Sequence, residues 1–229
     1  MTQSAQTFVL VHGAWAGGWI WRDIADRLRG RGHRVFTPTL TGLGERSHLV
    51  SPKINLTTHV LDIANLIKWQ EISDIVLVGH SYGGMVISGV AEKVPQGTIR
   101  SILYLDAFLP DNDQALTDLV PAETPLPAVE DPVPFPGLGQ TGDAHRESLL
   151  TPHPLGTLTE RLTLTGARAR IPIKTYVLAT SSPTPTPFGA MAEKIASDPD
   201  WRLETLACGH NTMIEMPQET LEILLRAAE

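Results

Sequence analysis

One cysteine, Cys208, is all the thiol the 229 residues contain, so no disulfide can close within the chain. That fits a reducing compartment, and Cys208 reads as a small buried residue of the last strand rather than a reactive thiol. A basic excess is also missing. Eighteen Lys and Arg stand against 25 Asp and Glu, a formal net charge of −7, which is the wrong sign for a nucleic-acid footprint. Long apolar runs are absent: the most hydrophobic stretch, Ile75 to Val78, has the length of a strand, not of a membrane span. The opening residues MTQSAQT have neither the basic nor the apolar region of a secretory signal. No cluster shows metal-ligand spacing, and no repeat or domain boundary interrupts the chain. With 42% hydrophobic and 19% charged residues, the composition is that of an ordinary globular protein. A cytoplasmic protein forming one domain over 1–229 is expected, with no nucleic-acid or membrane partner; composition leaves the oligomeric state open.

What the chain does have is an alternation of short apolar runs and helical periodicity, the mark of βα units and a mainly parallel sheet. Strands are expected at Phe8 to Val11, Val35 and Phe36, Ile75 to Val78, Ile102 to Leu105, Ile173 to Ala179 and Arg202 to Ala207. Helices are expected from about Gly18 to Arg29, Thr57 to Trp69, Gly83 to Lys93 and Phe188 to Ile195, with a last one after Pro217. Ile20, Ile24 and Leu28 of the first helix recur at four-residue spacing, on one face. Between about 109 and 170 the pattern breaks. Pro121, Pro125, Pro127, Pro132, Pro134 and Pro136 exclude a long regular element there, with helical turns expected only within Leu149 to Leu164. The expected architecture is six parallel strands with one long excursion after the fourth.

Three short motifs carry chemistry. Gly79-His80-Ser81-Tyr82-Gly83 is a G-x-S-x-G match between a strand and a helix. A nucleophilic serine on so sharp a turn needs small residues two before and two after it. His12-Gly13-Ala14 follows the first strand, where the loop can fold back toward the serine. The backbone N–H groups of Ala14 and Tyr82 are therefore assigned to an oxyanion hole, and His12 and His80 to structural roles. Cys208-Gly209-His210 ends the last strand. A serine hydroxyl needs a neutral imidazole to take its proton, and His210 is the one histidine beyond His153.

HGAWAGGWIW, TPTLTGLGERSHL, LVGHSYGGM, YLDAFLP and CGH together resemble the α/β-hydrolase superfamily. They are most similar to a bacterial group of small esterases akin to the plant methylesterase and hydroxynitrile-lyase branch. The resemblance spans nearly the whole chain and weakens between about Thr117 and Ala167. It implies the α/β-hydrolase fold: a mostly parallel six-stranded sheet with flanking helices, in the superfamily's order 4-3-5-6-7-8. It further implies a cap inserted at about 109–170, and neither metal nor organic cofactor. One departure matters. The plant branch places its triad acid after the penultimate strand, here YVLATSSPTPTPF, which contains no Asp or Glu. The superfamily's alternative position, after the preceding strand, holds Asp106, at the strand edge where this fold builds its site. Asp106 is therefore assigned as the carboxylate that orients His210, ahead of Asp198, Asp200, Glu45 and Glu215.

Trp15, Trp19, Met85 and Phe108 flank these motifs and are expected to line an apolar substrate pocket. Arg46 and His48 read as parts of a solvated loop. The expected function is hydrolysis of a small-molecule carboxylic or carbamic ester through an acyl-enzyme on Ser81. An amidase or lactonase would use the same residues. Hydroxynitrile lyases of this fold resemble one another in a threonine of the oxyanion loop and a lysine after the histidine; Ala14 and Asn211 occupy those positions here. A ligand receptor on the same fold is the non-enzymatic alternative.

Overall fold

The structure is a computed structural model and describes residues 4–120, 131–135, 144–182 and 186–229. The chain runs β1 (Thr7–Val11), α1 (Arg22–Gly30), β2 (Arg34–Phe36), α2 (Leu56–Trp69), β3 (Ile75–His80), α3 (Gly83–Lys93) and β4 (Ile99–Leu105). It continues through α4 (Ala144–Glu147), α5 (Gly156–Thr159), β5 (Ile173–Ala179), α6 (Phe188–Ile195), β6 (Trp201–Leu206), α7 (Thr212–Glu215) and α8 (Pro217–Arg226). All six strands pair parallel, in the order β2-β1-β3-β4-β5-β6.

Strands read as unbroken apolar runs because both faces of the sheet are covered. Val9, Val11, Leu77, Ile102 and Tyr104 point to one side, against α2, α3 and α6. Their alternates Phe8, Leu10, Val76, Val78, Leu103 and Leu105 point to the other, against α1 and α8. From β1 the chain moves outward to β2, then crosses back over β1 to reach β3. The loops leaving β1 and β3 therefore diverge and open a crevice at the carboxyl ends of these two central strands. Among the described residues no helix is long and apolar enough to cross a membrane.

Three elements differ from the sequence reading. The helix expected from Gly18 starts as a 3₁₀ turn, Gly18–Trp21, before α1. Gly18 is squeezed there: its N–H donates to Thr39 Oγ1 at 2.8 Å, and a Cβ on it would stand 2.1 Å from the Thr37 carbonyl oxygen. β4 begins three residues early, at Ile99, where a register shift against Ile75/Val76 lets it pair. A separate short helix, α7, precedes Pro217, which opens α8 as proline does at a first helical turn.

The excursion between β4 and β5 rests on α2. Asn55 caps that helix by accepting the Thr58 N–H at 3.0 Å, and Glu160 accepts the Thr57 N–H at 2.6 Å. A carboxylate is stabilised at this helix end by the free N–H groups and the dipole. Val133, between Pro132 and Pro134, forms an antiparallel bridge with His153. Pro121, Pro125, Pro127 and Pro136 lie outside the described residues.

Candidate active site

The turn after β3 is held by glycines that have no room for a side chain. A Cβ on Gly79 would stand 2.6 Å from the Gly83 carbonyl oxygen, and one on Gly83 would stand 2.8 Å from that of Val11. Between them Ser81 is forced to φ 54°, a left-handed conformation that costs a non-glycine residue energy. Asp106, after β4, and Trp15, after β1, share it at φ 43° and 61°. Three strained residues thus surround one crevice.

His210, after β6, donates from Nδ1 to Asp106 Oδ2 at 2.6 Å. The other carboxylate oxygen, Oδ1, accepts the Ala179 N–H at 3.0 Å, and Asp106 is 1% exposed. The imidazole lies between two rings: Phe188 stacks on it at 5.0 Å and 4°, and His80 tilts against its other face at 4.5 Å. His80 also donates Nε2–H to the His210 carbonyl oxygen at 2.9 Å, fixing the loop as well as the ring. The rival carboxylates are elsewhere. Glu215 accepts the Gly209 N–H at 2.7 Å, Asp198 accepts that of Asp200 at 2.9 Å, and Glu45 is exposed.

Ser81 and His210 line one cavity together with Gly13, Ala14 and Trp15. The Ser81 hydroxyl makes no hydrogen bond to another described residue. Gly13 allows the close approach, since a Cβ there would touch Ser81 Cβ at 3.0 Å. Neither the Ala14 nor the Tyr82 N–H donates to another described residue.

Of the expected pocket residues, Trp15 lines the cavity and three do not. Met85 is wholly buried in the core between α3 and the sheet. Trp19 packs toward α1 beside a separate depression with Asp23 and His145. Phe108 is buried edge-on against Phe188 and so backs the His210 ring at second hand. Sequence proximity misleads here because successive residues of a turn or helix point to different sides. The remaining lining includes Ile20, Phe135, Leu150 and Asn211, none of which a motif marks. Arg46 is tied back to the Thr39 carbonyl at 2.8 Å, and His48 is exposed.

Beneath the crevice lies a group of buried histidines. His12 donates Nδ1–H to the Gly13 carbonyl at 2.8 Å and accepts the Leu40 N–H on Nε2 at 3.1 Å. His59 donates to the Thr41 carbonyl and accepts the Tyr82 hydroxyl, each at 2.8 Å. Burial lowers both from the ordinary 6.5 to about 4, and holds His80 and His153 well below their usual value. The unfolded chain binds protons on His12 and His59 below pH 6.5, whereas the native fold resists them until about 4. Stability therefore falls as pH drops through that window, with His12 and His59 alone costing about 4 kcal/mol at pH 5 relative to pH 7.5. Urea unfolding at the two pH values checks this, and an unmoved midpoint contradicts it. Among the described residues no three His, Cys, Asp or Glu side chains are placed to hold a metal ion.

A strained serine turn after the third strand of a parallel sheet, with a histidine–carboxylate pair at the same cavity, is an arrangement found in α/β hydrolases. The chain belongs to the alpha/beta hydrolase family, whose model matches residues 8–223. It is 39% identical over 238 residues to a carbendazim hydrolyzing esterase of Nocardioides sp. (strain SG-4G), covering 95% of this chain and 97% of that protein. Salicylic acid-binding protein 2 of Nicotiana tabacum is 36% identical over 106 residues, covering 46% of this chain and 40% of that protein. An extracellular α/β-hydrolase from a Paenibacillus species superimposes with a TM-score of 0.78 at 29% identity, covering 97% of this chain and 98% of that one. The chain is accordingly an enzyme of the hydrolase class.

Proposed function

We propose that this enzyme cleaves small, uncharged carboxylic or carbamic esters through an acyl intermediate on Ser81. The observation that carries the reading is the 2.6 Å contact from His210 Nδ1 to Asp106 at the cavity that Ser81 lines. With Nδ1–H committed to the carboxylate, Nε2 keeps its lone pair for the serine proton. As Ser81 Oγ attacks the carbonyl carbon, His210 takes that proton and the carbonyl oxygen becomes an oxyanion. The Ala14 and Tyr82 N–H groups receive it. His210 then protonates the departing alkoxide, leaving an acyl-serine. Water enters, gives a proton to His210, and the acid leaves with Ser81 restored.

The cavity holds about 40 Å³, and among the described residues its lining includes no Lys, Arg, Asp or Glu. This supports a short, neutral acyl group and leaves the residues between β4 and β5, acting as a cap, to meet the leaving group. The esterase from Nocardioides supports an ester or carbamate over an amide. Ala14 and Asn211 argue against cyanohydrin chemistry. The unpaired Cys208 supports a cytoplasmic location. Steady-state assays on p-nitrophenyl acetate, p-nitrophenyl octanoate and an aryl carbamate test the proposal. Acetate turnover with kcat/KM of about 10⁴ M⁻¹s⁻¹ or more, exceeding that for octanoate, is expected. Saturable binding without turnover would instead identify a receptor.

A further inference from the structure

A buried histidine that the reaction does not use stands against the loop that follows β1. His153, from the segment between β4 and β5, is 0% exposed, and its Nδ1 accepts the Trp15 N–H at 3.2 Å. The Trp15 carbonyl accepts the Thr151 N–H at 2.9 Å, and the Trp15 indole donates Nε1–H to the Val133 carbonyl at 3.2 Å. Val133 and His153 are themselves joined by two backbone hydrogen bonds of 2.7 and 2.8 Å. Every polar group of Trp15 is thus held by this one segment. The residue so gripped has φ 61° and directly follows Ala14. A bulky residue persists in that conformation only where its surroundings over-determine it.

The bonds also fix how the imidazole is protonated. Thr157 Oγ1–H donates to the Pro154 carbonyl at 2.7 Å, so its oxygen is free to accept from His153 Nε2 at 2.7 Å. The proton therefore sits on Nε2, and Nδ1 presents the lone pair that Trp15 needs. Burial, with His59 and His12 nearby, keeps the ring neutral. Its ring also packs T-shaped with that of Tyr82, centroids 4.9 Å apart, so one side chain adjoins both residues whose neighbourhood supplies the oxyanion donors.

We propose that His153 is a positioning residue: it locks Trp15 in its left-handed conformation and so holds the Ala14 N–H where the oxyanion forms. This rests on the serine-esterase reading and makes that activity depend on the seating of Val133, Thr151 and His153 against Trp15. A displaced segment would leave Ser81, His210 and Asp106 intact but the hole incomplete.

The test compares the parent enzyme with His153→Leu, His153→Asn, Thr157→Val and Ser81→Ala on p-nitrophenyl acetate, with phenylboronic acid as a tetrahedral adduct-former. Circular dichroism checks folding. His153→Leu removes the acceptor and should lower kcat about 10²-fold, since a donor misplaced by about 1 Å loses most of its effect. KM should stay within about twofold, and boronate affinity should fall with kcat, as for an interaction made mainly in the transition state. In His153→Asn the amide oxygen can take the place of Nδ1, and kcat should recover to within about tenfold of the parent. Parental kcat in folded His153→Leu overturns the proposal, as does an equal loss in the Leu and Asn variants. Should His153→Leu not fold, the near-isosteric Thr157→Val carries the test. It strips the partner that fixes the tautomer and should lower kcat about tenfold at unchanged KM; no change there overturns the proposal. Ser81→Ala separates the two readings. If it is inactive while His153→Leu is parental, only the positioning role fails; if it remains active, the esterase reading itself fails.

Discussion

Ser81→Ala is expected to abolish ester turnover, lowering kcat by about 10⁶ while the protein stays folded. The substitution deletes one oxygen, and that oxygen makes no hydrogen bond to another described residue, so little native structure depends on it. Alanine also tolerates φ 54° about as badly as serine does, which leaves the strain of the turn nearly unchanged. The elbow, the His210–Asp106 pair and the two N–H donors all survive, so the loss reports the missing nucleophile alone. Assays on purified variant, with thermal unfolding as the control, check this. Retention of more than about a tenth of parental activity would remove Ser81 from the chemistry.

Asp106→Asn is expected to lower kcat by at least about 10²-fold, and by up to about 10⁴-fold, the size of the same change in a serine protease. The carboxylate has two acceptor duties, the Ala179 N–H on Oδ1 and His210 Nδ1–H on Oδ2. An amide has one oxygen. Because a backbone N–H can only donate, the asparagine oxygen must face Ala179, and its NH₂ then faces His210. The imidazole responds by moving its proton to Nε2, the nitrogen that should receive the serine proton. Geometry is kept and the tautomer is wrong. A variant within about tenfold of the parent would show that His210 is not oriented through this carboxylate. Burial of the residue is tolerated because these two bonds replace water on both oxygens.

Much of this was legible in the chain because chemistry and backbone geometry demanded the same residues. Gly79 and Gly83 are required both by the crowding around Ser81 and by the G-x-S-x-G pattern. The strand Ile75–His80 is apolar throughout because both of its faces are covered. The pairing of Asp106 with His210 could be read from an absence, since no Asp or Glu stands between Ala179 and Ala190. What could not be read lies in contacts between segments far apart in sequence. Phe188 stacks on His210 from the start of α6, and nothing in its neighbourhood marks it. His153 is one of several histidines until Trp15 and Thr157 are seen beside it. Which flanking side chains reach the cavity was hidden for a related reason. Trp19, Met85 and Phe108 are near the motifs along the chain, but helix and turn geometry aim them into the core or away from the crevice. Ile20, Leu150 and Asn211 reach the cavity from three separate parts of the chain.

The central claim is that a covalent intermediate forms on Ser81, and carbamoylation tests it most directly. p-Nitrophenyl dimethylcarbamate should acylate the enzyme and be released slowly, because the carbamoyl group is a poor electrophile toward water. Incubation should liberate one equivalent of p-nitrophenolate, and peptide mass spectrometry should find a single dimethylcarbamoyl group on the peptide containing Ser81. The Asp106→Asn enzyme should acquire it far more slowly, and Ser81→Ala not at all. Labelling of a different residue, or continued ester turnover by enzyme that carries no label, would contradict the account.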